Sequence, residues 1–337
     1  MDGTFTAEVD PGMIDSHLHL WELPPVPEQP TEPGAPRRPY SWLGPQHGSL
    51  FRSYGEAEAQ GTLVDAGVSG AVLVQADDAI SDTEFMLAAA HRNDWVLAVV
   101  GWIPLEQPEQ AEAALERLGQ NPKFRGVRHL VHNDPRDNFL ELPEVRESLK
   151  LLSAKGLTLD VPDAYPRHLQ RAVDLARDLP ELTVVLDHLG KPPLSGTVTS
   201  GGNGSCGELE RWRREFRALA ELPNTVAKVS GLHLPGLEYT AKALRPLWEE
   251  ALEAFGPERL MIGMDWPVST LGAPYRRTVE VLLELAADLG PAERHAFLEG
   301  TAVRTYGLEN SGLPASSADG TTPETESTIT KQDEVKA

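Results

Sequence analysis

Short runs rich in Val, Ile and Leu recur along this 337-residue chain, and longer stretches of helical character separate most of them. The runs that read as strands are Met13–His19, Gly70–Gln75, Val96–Trp102, Gly126–His129, Leu157–Val161, Thr183–His188, Val226–Ser230 and Leu260–Asp265. The helices between them are Ser81–Arg92, Pro108–Leu118, Glu144–Lys155, Pro166–Leu179, Glu208–Leu222, Thr240–Phe255 and Pro274–Leu289. Gly or Pro punctuates most junctions, as in Lys155-Gly156 and Phe255-Gly256-Pro257. Apolar strands alternating with helices make a parallel sheet covered on its outside. Roughly eight such units close a (β/α)8 barrel, the TIM barrel, at about 250 residues or more. The main competitor is a doubly wound open sheet. No Gly-x-Gly-x-x-Gly follows an early strand to support it.

The expected organisation is a single barrel domain over residues 13–308, an N-terminal extension (1–12) and an acidic tail (309–337). From residue 311 the tail is rich in Ser, Thr, Glu and Gly and almost free of apolar residues. It cannot bury enough surface to offset its ordering entropy, so disorder is expected. Residues 22–54, rich in Pro, Gly and aromatics, read as a long loop after the first strand. Residues 195–207 read as a flexible loop after the sixth.

Charge and cysteine usage exclude some functions. With 51 acidic against 30 basic side chains the formal net charge is −21, which argues against nucleic acid or an anionic membrane surface as partner. A solvated acidic surface explains that charge without a cationic substrate. The lone cysteine, Cys206, excludes an internal disulfide and a thiolate metal cluster. No apolar run approaches the roughly 20 residues of a membrane span, and the N-terminal segment lacks a hydrophobic signal core. The expectation is a cytoplasmic monomer or homodimer acting on a small molecule.

The chemistry collects at one end of the strands. Ile14-Asp15-Ser16-His17-Leu18-His19 ends the first run, and in a strand residues i and i+2 point the same way. His17 and His19 then converge on one point, able to hold a divalent metal or polarise a substrate oxygen. Two buried histidines bonded to backbone would give the same motif. Further strands bring Arg128-His129, Asp160, Asp187-His188, Lys228 with Ser230, and Asp265. In (β/α)8 barrels the active site lies at the C-terminal strand ends, so this clustering favours the functional reading.

Taken together, these motifs resemble the amidohydrolase superfamily of TIM-barrel, metal-dependent hydrolases, and within it the branch of sugar-acid lactonases. The residues that carry the resemblance are Ile14 to Trp21, Phe124 to His129, Leu186-Asp187-His188-Leu189-Gly190-Lys191-Pro192-Pro193, Lys228 to Leu232 and Gly263-Met264-Asp265-Trp266-Pro267, with the closing Thr301 to Leu308. The resemblance implies that His17, His19, His188 and Asp265 bind a metal or water. It makes Asp265 the general base and His188 the group that orients water or assists the leaving alkoxide. A single Zn2+-like ion on His17 and His19 would polarise the lactone carbonyl. Without metal, the histidines and an arginine would stabilise the oxyanion by hydrogen bonding. The chain departs from a dinuclear pattern, with Arg128-His129 on the fourth strand and Asp160 on the fifth, so at most one metal is implied.

Arg128, His129, Trp42 and Lys228 are the substrate-binding candidates. Each has a structural alternative: an Arg128–Asp160 ion pair filling the barrel, His129 supporting the site from behind instead of touching substrate, Lys228 as a charge partner, and Trp42 with Tyr40 gluing the long loop down. Trp266 reads as a packing residue. His47, His91, His168 and His295 read as surface, while His233 stays open. The reading is a hydrolase opening the ester ring of a sugar-acid lactone. The alternatives are a decarboxylase of the same superfamily and a barrel that binds a ligand without catalysis.

Overall fold

The computed structural model describes residues 12–24, 38–193, 204–233 and 238–308. The expectations for the disordered tail, for residues 25–37 of the long loop and for most of the loop at 195–207 lie outside these. The strands are β1 (Ile14–Leu18), β2 (Gly70–Val74), β3 (Val96–Gly101), β4 (Phe124–Arg128), β5 (Thr158–Val161), β6 (Val184–Leu186), β7 (Thr225–Val229) and β8 (Leu260–Ile262). They form one eight-stranded sheet in chain order, each pair parallel. At the C-terminal end, Leu18 bridges Trp266. His19 N donates to Trp266 O and Asp265 N donates to His17 O, both at 2.8 Å. The sheet thus curls round to meet itself, which gives the expected TIM barrel.

Helices cover the outside: α1 (Glu56–Ala66), α2 (Ile80–Arg92), α3 (Pro108–Leu118), α4 (Pro143–Ala154), α5 (Leu169–Asp178), α6 (Gly204–Ala220), α7 (Ala241–Phe255) and α8 (Tyr275–Leu285). Then α9 (Pro291–His295) and α10 (Thr301–Tyr306) follow, joined by a π turn at Ala296–Gly300. Sequence reading passes over α1, whose apolar face is thin: only Ala59 and Leu63 are buried, and Gly61 sits mid-helix. The helix α6 begins at Gly204, inside the segment read as a loop.

Parity along the strands divides the core. Val72, Val74, Ala98, Val100, Val185 and Met261 pack inside the barrel, whereas Leu73, Val99, Val127, Leu159, Leu186 and Ile262 pack outward against the helices. The same alternation places Arg128, Asp160 and Lys228 inside, in a layer above the apolar one. Ala302, Tyr306 and Leu308 join the inner cluster, and Thr301 Oγ1 donates to Glu258 O just before β8. The terminal helix therefore plugs the N-terminal mouth and leaves the C-terminal mouth for chemistry. Among the described residues no helix is long and apolar enough to cross a membrane.

Candidate active site

A bulge sets the two histidines of β1. Asp15 pairs with Ala71 and Leu18 with Leu73, so three steps on β1 oppose two on β2. Ile14 faces the inner core and Leu18 the outer one. The extra residue reverses parity, so His17 and His19 turn inward where a regular strand carrying Ile14 inward would turn them out. Their Nε2 atoms lie 3.1 Å apart. Asp15 locks this segment to the end of β8: its Oδ1 accepts from His17 N and Met264 N at 2.9 Å, and its Oδ2 accepts from Tyr275 Oη at 3.0 Å. Burial raises the Asp15 carboxyl to about 7 against those hydrogen bonds.

The remaining pair sits on tight turns, not on strands. The readings Thr183–His188 and Leu260–Asp265 are too long: β6 stops at Leu186 and β8 at Ile262. His188 and Asp265 adopt left-handed backbone, with φ 57° and 55°. Such turns re-aim neighbouring side chains, at a cost of about 1–3 kcal/mol per residue. Asp187 points down into the barrel while His188 faces the opening. Gly231, itself at φ 58°, has no Cβ because one would collide with the His188 ring. His188 Nδ1 meets Ser230 Oγ at 2.9 Å.

Around the Asp265 carboxylate, Oδ1 lies 3.4 Å from His19 Nε2, 3.8 Å from His17 Nε2 and 3.9 Å from His188 Nε2. Burial works to raise the Asp265 carboxyl, but His188, the contact with His19 and His17 outweigh it and hold it below the usual carboxylate range. It is ionised at neutral pH. Burial pushes His17 well below its usual range despite Asp187, and His188 to about 4. Both rings are therefore neutral and have lone pairs to offer.

Beneath His17 lies a sealed charge network. Lys228 Nζ donates to Asp160 Oδ2 at 2.6 Å and sits 3.1 Å from Asp187 Oδ1 and 3.2 Å from His17 Nδ1. Arg128 Nε is 2.9 Å from Asp187 Oδ2, and its Nη1 donates to Gln75 O at 2.9 Å. Tyr306 Oη, rising from the plug, donates to Asp160 Oδ2 at 2.8 Å. Two cations thus face two carboxylates, and the side chains of Lys228, Asp160 and Asp187 are wholly inaccessible. Asp187 is held well below its usual range because Lys228, His17 and Arg128 outweigh its burial.

Above the histidines opens a cavity of about 340 Å³. His19, His188, Asp265 and Arg128 line its base. Trp21, Trp42 and His47 form one wall. Trp42 packs edge-on to Trp21 and to His47, each at 5.8 Å, and its Nε1 donates to Ala76 O at 2.6 Å. The loop residues after β1 therefore do reach the site.

Three of the donors, His17, His19 and Asp265, are close enough to share a single ion. His19 Nδ1 lies 2.8 Å from Val74 O, a carbonyl that only accepts, so that nitrogen carries the ring proton and Nε2 presents a lone pair. A Zn2+-type ion sets its ligand atoms about 3.3–3.6 Å apart. His17 Nε2, His19 Nε2 and Asp265 Oδ1 lie 3.1 to 3.8 Å from one another, while His188 Nε2 stands outside this trio, 3.9 Å from Asp265 Oδ1. His17, His19 and Asp265 form one metal-competent group; His17, Asp187 and His188 form another that shares His17.

Some candidates fall elsewhere. Lys228 is sealed below His17 and does not border the cavity. His129 lies behind it, stacked on Phe139 at 4.0 Å and accepting from Trp102 Nε1 at 3.0 Å. The Arg128 ion pair exists, with Asp187 as its partner instead of Asp160. Tyr40 ties the loop down through Tyr40 Oη to Asp82 at 2.7 Å, and Trp266 packs edge-on to Tyr54 at 5.2 Å. His168, read as surface, is fully buried, and His47 lines the cavity. Sequence reasoning gave no role to Asp187, though its place beside His188 signals one. It missed His132 and Asp163, which sit in irregular loops without a pattern.

A (β/α)8 barrel with three inward imidazoles and a carboxylate at its C-terminal mouth defines a class of hydrolytic, metal-competent barrels. This chain belongs to the amidohydrolase family, whose model matches residues 14–308. It is 33% identical over 304 residues to an L-fucono-1,5-lactonase of Burkholderia multivorans, covering 88% of this chain and 96% of that protein. A Burkholderia ambifaria protein of the same name is 30% identical over 301 residues, with the same coverage. A crystal structure of a B. multivorans amidohydrolase with bound zinc superposes with a TM-score of 0.72 at 30% identity, covering 88% of this chain and 99% of that one.

Proposed function

We propose that this protein hydrolyses the ester ring of a small lactone, of the sugar-acid class. The observation that carries the reading is the base of the cavity, where an ionised carboxylate and three imidazoles meet under a space that fits one sugar ring. The lactonase names of the relatives support the substrate class.

The residues divide the work. Asp265 accepts the proton of the attacking water; a carboxylate so placed contributes about 10²–10⁴-fold. His188, anchored on Ser230, orients that water or assists the leaving alkoxide by relaying to it the proton that Asp265 has taken. Arg128, pinned by Asp187 and Gln75 O, brings positive charge to the cavity base where the oxyanion forms. Trp42 supplies a flat apolar face for the ring. Lys228 and His129 act on the substrate only through His17 and the cavity wall. A Zn2+-type ion on His17, His19, His188 and Asp265 would supply Lewis-acid polarisation of the carbonyl. In this reading the protein works in the cytoplasm as a monomer or homodimer.

A pH-indicator screen of aldonolactones, with and without chelator, tests the proposal. Acid release on lactone addition is expected. Release of carbon dioxide from an aromatic or other small carboxylic acid, with no lactone opened, would replace the reading by the decarboxylase one.

A further inference from the structure

The second wall of the cavity is polar and comes from three separate loops: His132 and Asn133 after β4, Asp163 after β5, and Lys191 after β6. Two of its atoms are unpaired. His132 Nδ1 and Asp163 Oδ1 are both shielded from solvent and make no hydrogen bond. Lys191 Nζ donates to Gly231 O at 3.0 Å and stands 3.9 Å from Asp163 Oδ1, beyond hydrogen-bond reach. An unmet acceptor of this kind destabilises the empty protein. The backbone adds a second sign. Asp163 and Lys191 are held at φ 42° and 57°, a strain that persists where the surroundings demand a particular side-chain aim.

Across the cavity stands the indole wall of Trp21 and Trp42. An apolar face opposite an acceptor carboxylate, an imidazole and an ammonium matches a polyhydroxylated ring. Its C–H face lies on the indole, and its hydroxyls reach the polar groups. We propose that His132, Asp163 and Lys191 form a hydroxyl-recognition subsite that selects polyhydroxylated lactones over unsubstituted ones. This deepens the lactonase reading and rests on it. Asp163 accepts from a hydroxyl through the part of its side chain that stays accessible, the half-buried His132 ring packs beside it and holds it in place, and Lys191 donates to a ring or hydroxyl oxygen.

The test compares an aldono-1,5-lactone with unsubstituted δ-valerolactone in the intact protein, in Asp163→Asn and in His132→Gln. Asparagine tolerates the left-handed backbone, so the first variant keeps the loop. Each variant should lower kcat/KM for the aldonolactone about 10- to 100-fold more than for δ-valerolactone, mostly through KM, the scale of one lost charge-assisted hydrogen bond. Equal losses on both lactones, or none on either, would overturn the subsite. Binding of 1,5-anhydroglucitol, a neutral polyhydroxylated ring that cannot be hydrolysed, is followed in parallel by NMR titration. If the wild type opens neither lactone, the lactonase reading fails, and this titration alone decides the subsite. Weaker binding by Asp163→Asn and His132→Gln supports it; unchanged binding overturns it.

Discussion

Replacing Lys228 by methionine isolates the network beneath His17. The ammonium contacts Asp160 Oδ2 at 2.6 Å, Asp187 Oδ1 at 3.1 Å and His17 Nδ1 at 3.2 Å, all without solvent. Lys228 and Arg128 balance Asp160 and Asp187 one for one. Methionine fills most of the volume but leaves two buried carboxylates to one guanidinium. Breaking a buried pair in this way costs about 3–5 kcal/mol. At about 2–4 °C per kcal/mol for chains approaching this size, the melting temperature should fall by roughly 6–20 °C. The double variant Lys228→Met/Asp160→Asn restores the balance, and Thr158 and Tyr306 still bond residue 160. It should recover at least about half of the loss, a coupling read from a double-mutant cycle. Calorimetric melting of the four proteins is the assay. A Lys228→Met protein that melts like wild type but shows a raised KM would refute the argument and return Lys228 to the substrate-binding group.

Asp265→Asn should keep the fold and lower kcat by about 10²–10⁴-fold; near-wild-type turnover removes Asp265 as the base. Elemental analysis should find no more than one tightly bound divalent ion per chain, and two equivalents would contradict the mononuclear geometry. Trp42→Ala should raise KM for the lactone several-fold, with a modest stability loss because Nε1 also bonds Ala76 O; lost stability with unaltered kinetics would make it a packing residue alone. Burial depresses His168 to about 4. Its native pKa lies below its unfolded value of about 6.5, so its contribution is complete above that pH and is lost as pH falls toward 4. His168→Leu should flatten the melting temperature in this window, and an unchanged slope would show that the ring does not titrate with unfolding.

The barrel was legible because its strands are apolar on both faces and so stand out as runs. What the runs concealed was where pairing stops. Asp187-His188 and Gly263-Met264-Asp265 continue the pattern of buried residues, yet the backbone has already turned into left-handed geometry at His188 and Asp265. Nothing in a non-glycine sequence announces a positive φ. The bulge in β1 is equally silent, although it alone turns His17 and His19 inward. Charge pairing was the hardest to foresee. Arg128 and Asp160 are register partners on neighbouring strands, the arrangement that sequence would join. Their side chains diverge, Arg128 to Asp187 and Asp160 to Lys228 and Tyr306. The length of each side chain and the plug from α10 decide that outcome, and neither is a local property of the strands.

The floor network also couples the His17 ring to the charges beneath it. Val74 O accepts from His19 Nδ1–H, which turns the Nε2 of that tautomer toward the site. His17 Nδ1 stands between a donor, Lys228 Nζ at 3.2 Å, and an acceptor, Asp187 Oδ1 at 3.3 Å. When Nδ1 accepts from Lys228, the three ammonium hydrogens meet Asp160, Asp187 and His17, and His17 Nε2–H donates to His19 Nε2 at 3.1 Å. When Nδ1–H donates to Asp187 instead, both Nε2 lone pairs face one point, the arrangement an ion requires. The two states differ only in which His17 nitrogen carries the ring proton, while the heavy atoms keep their places. Asp187 and Lys228 thus set from below whether His17 Nε2 faces the cavity with its lone pair.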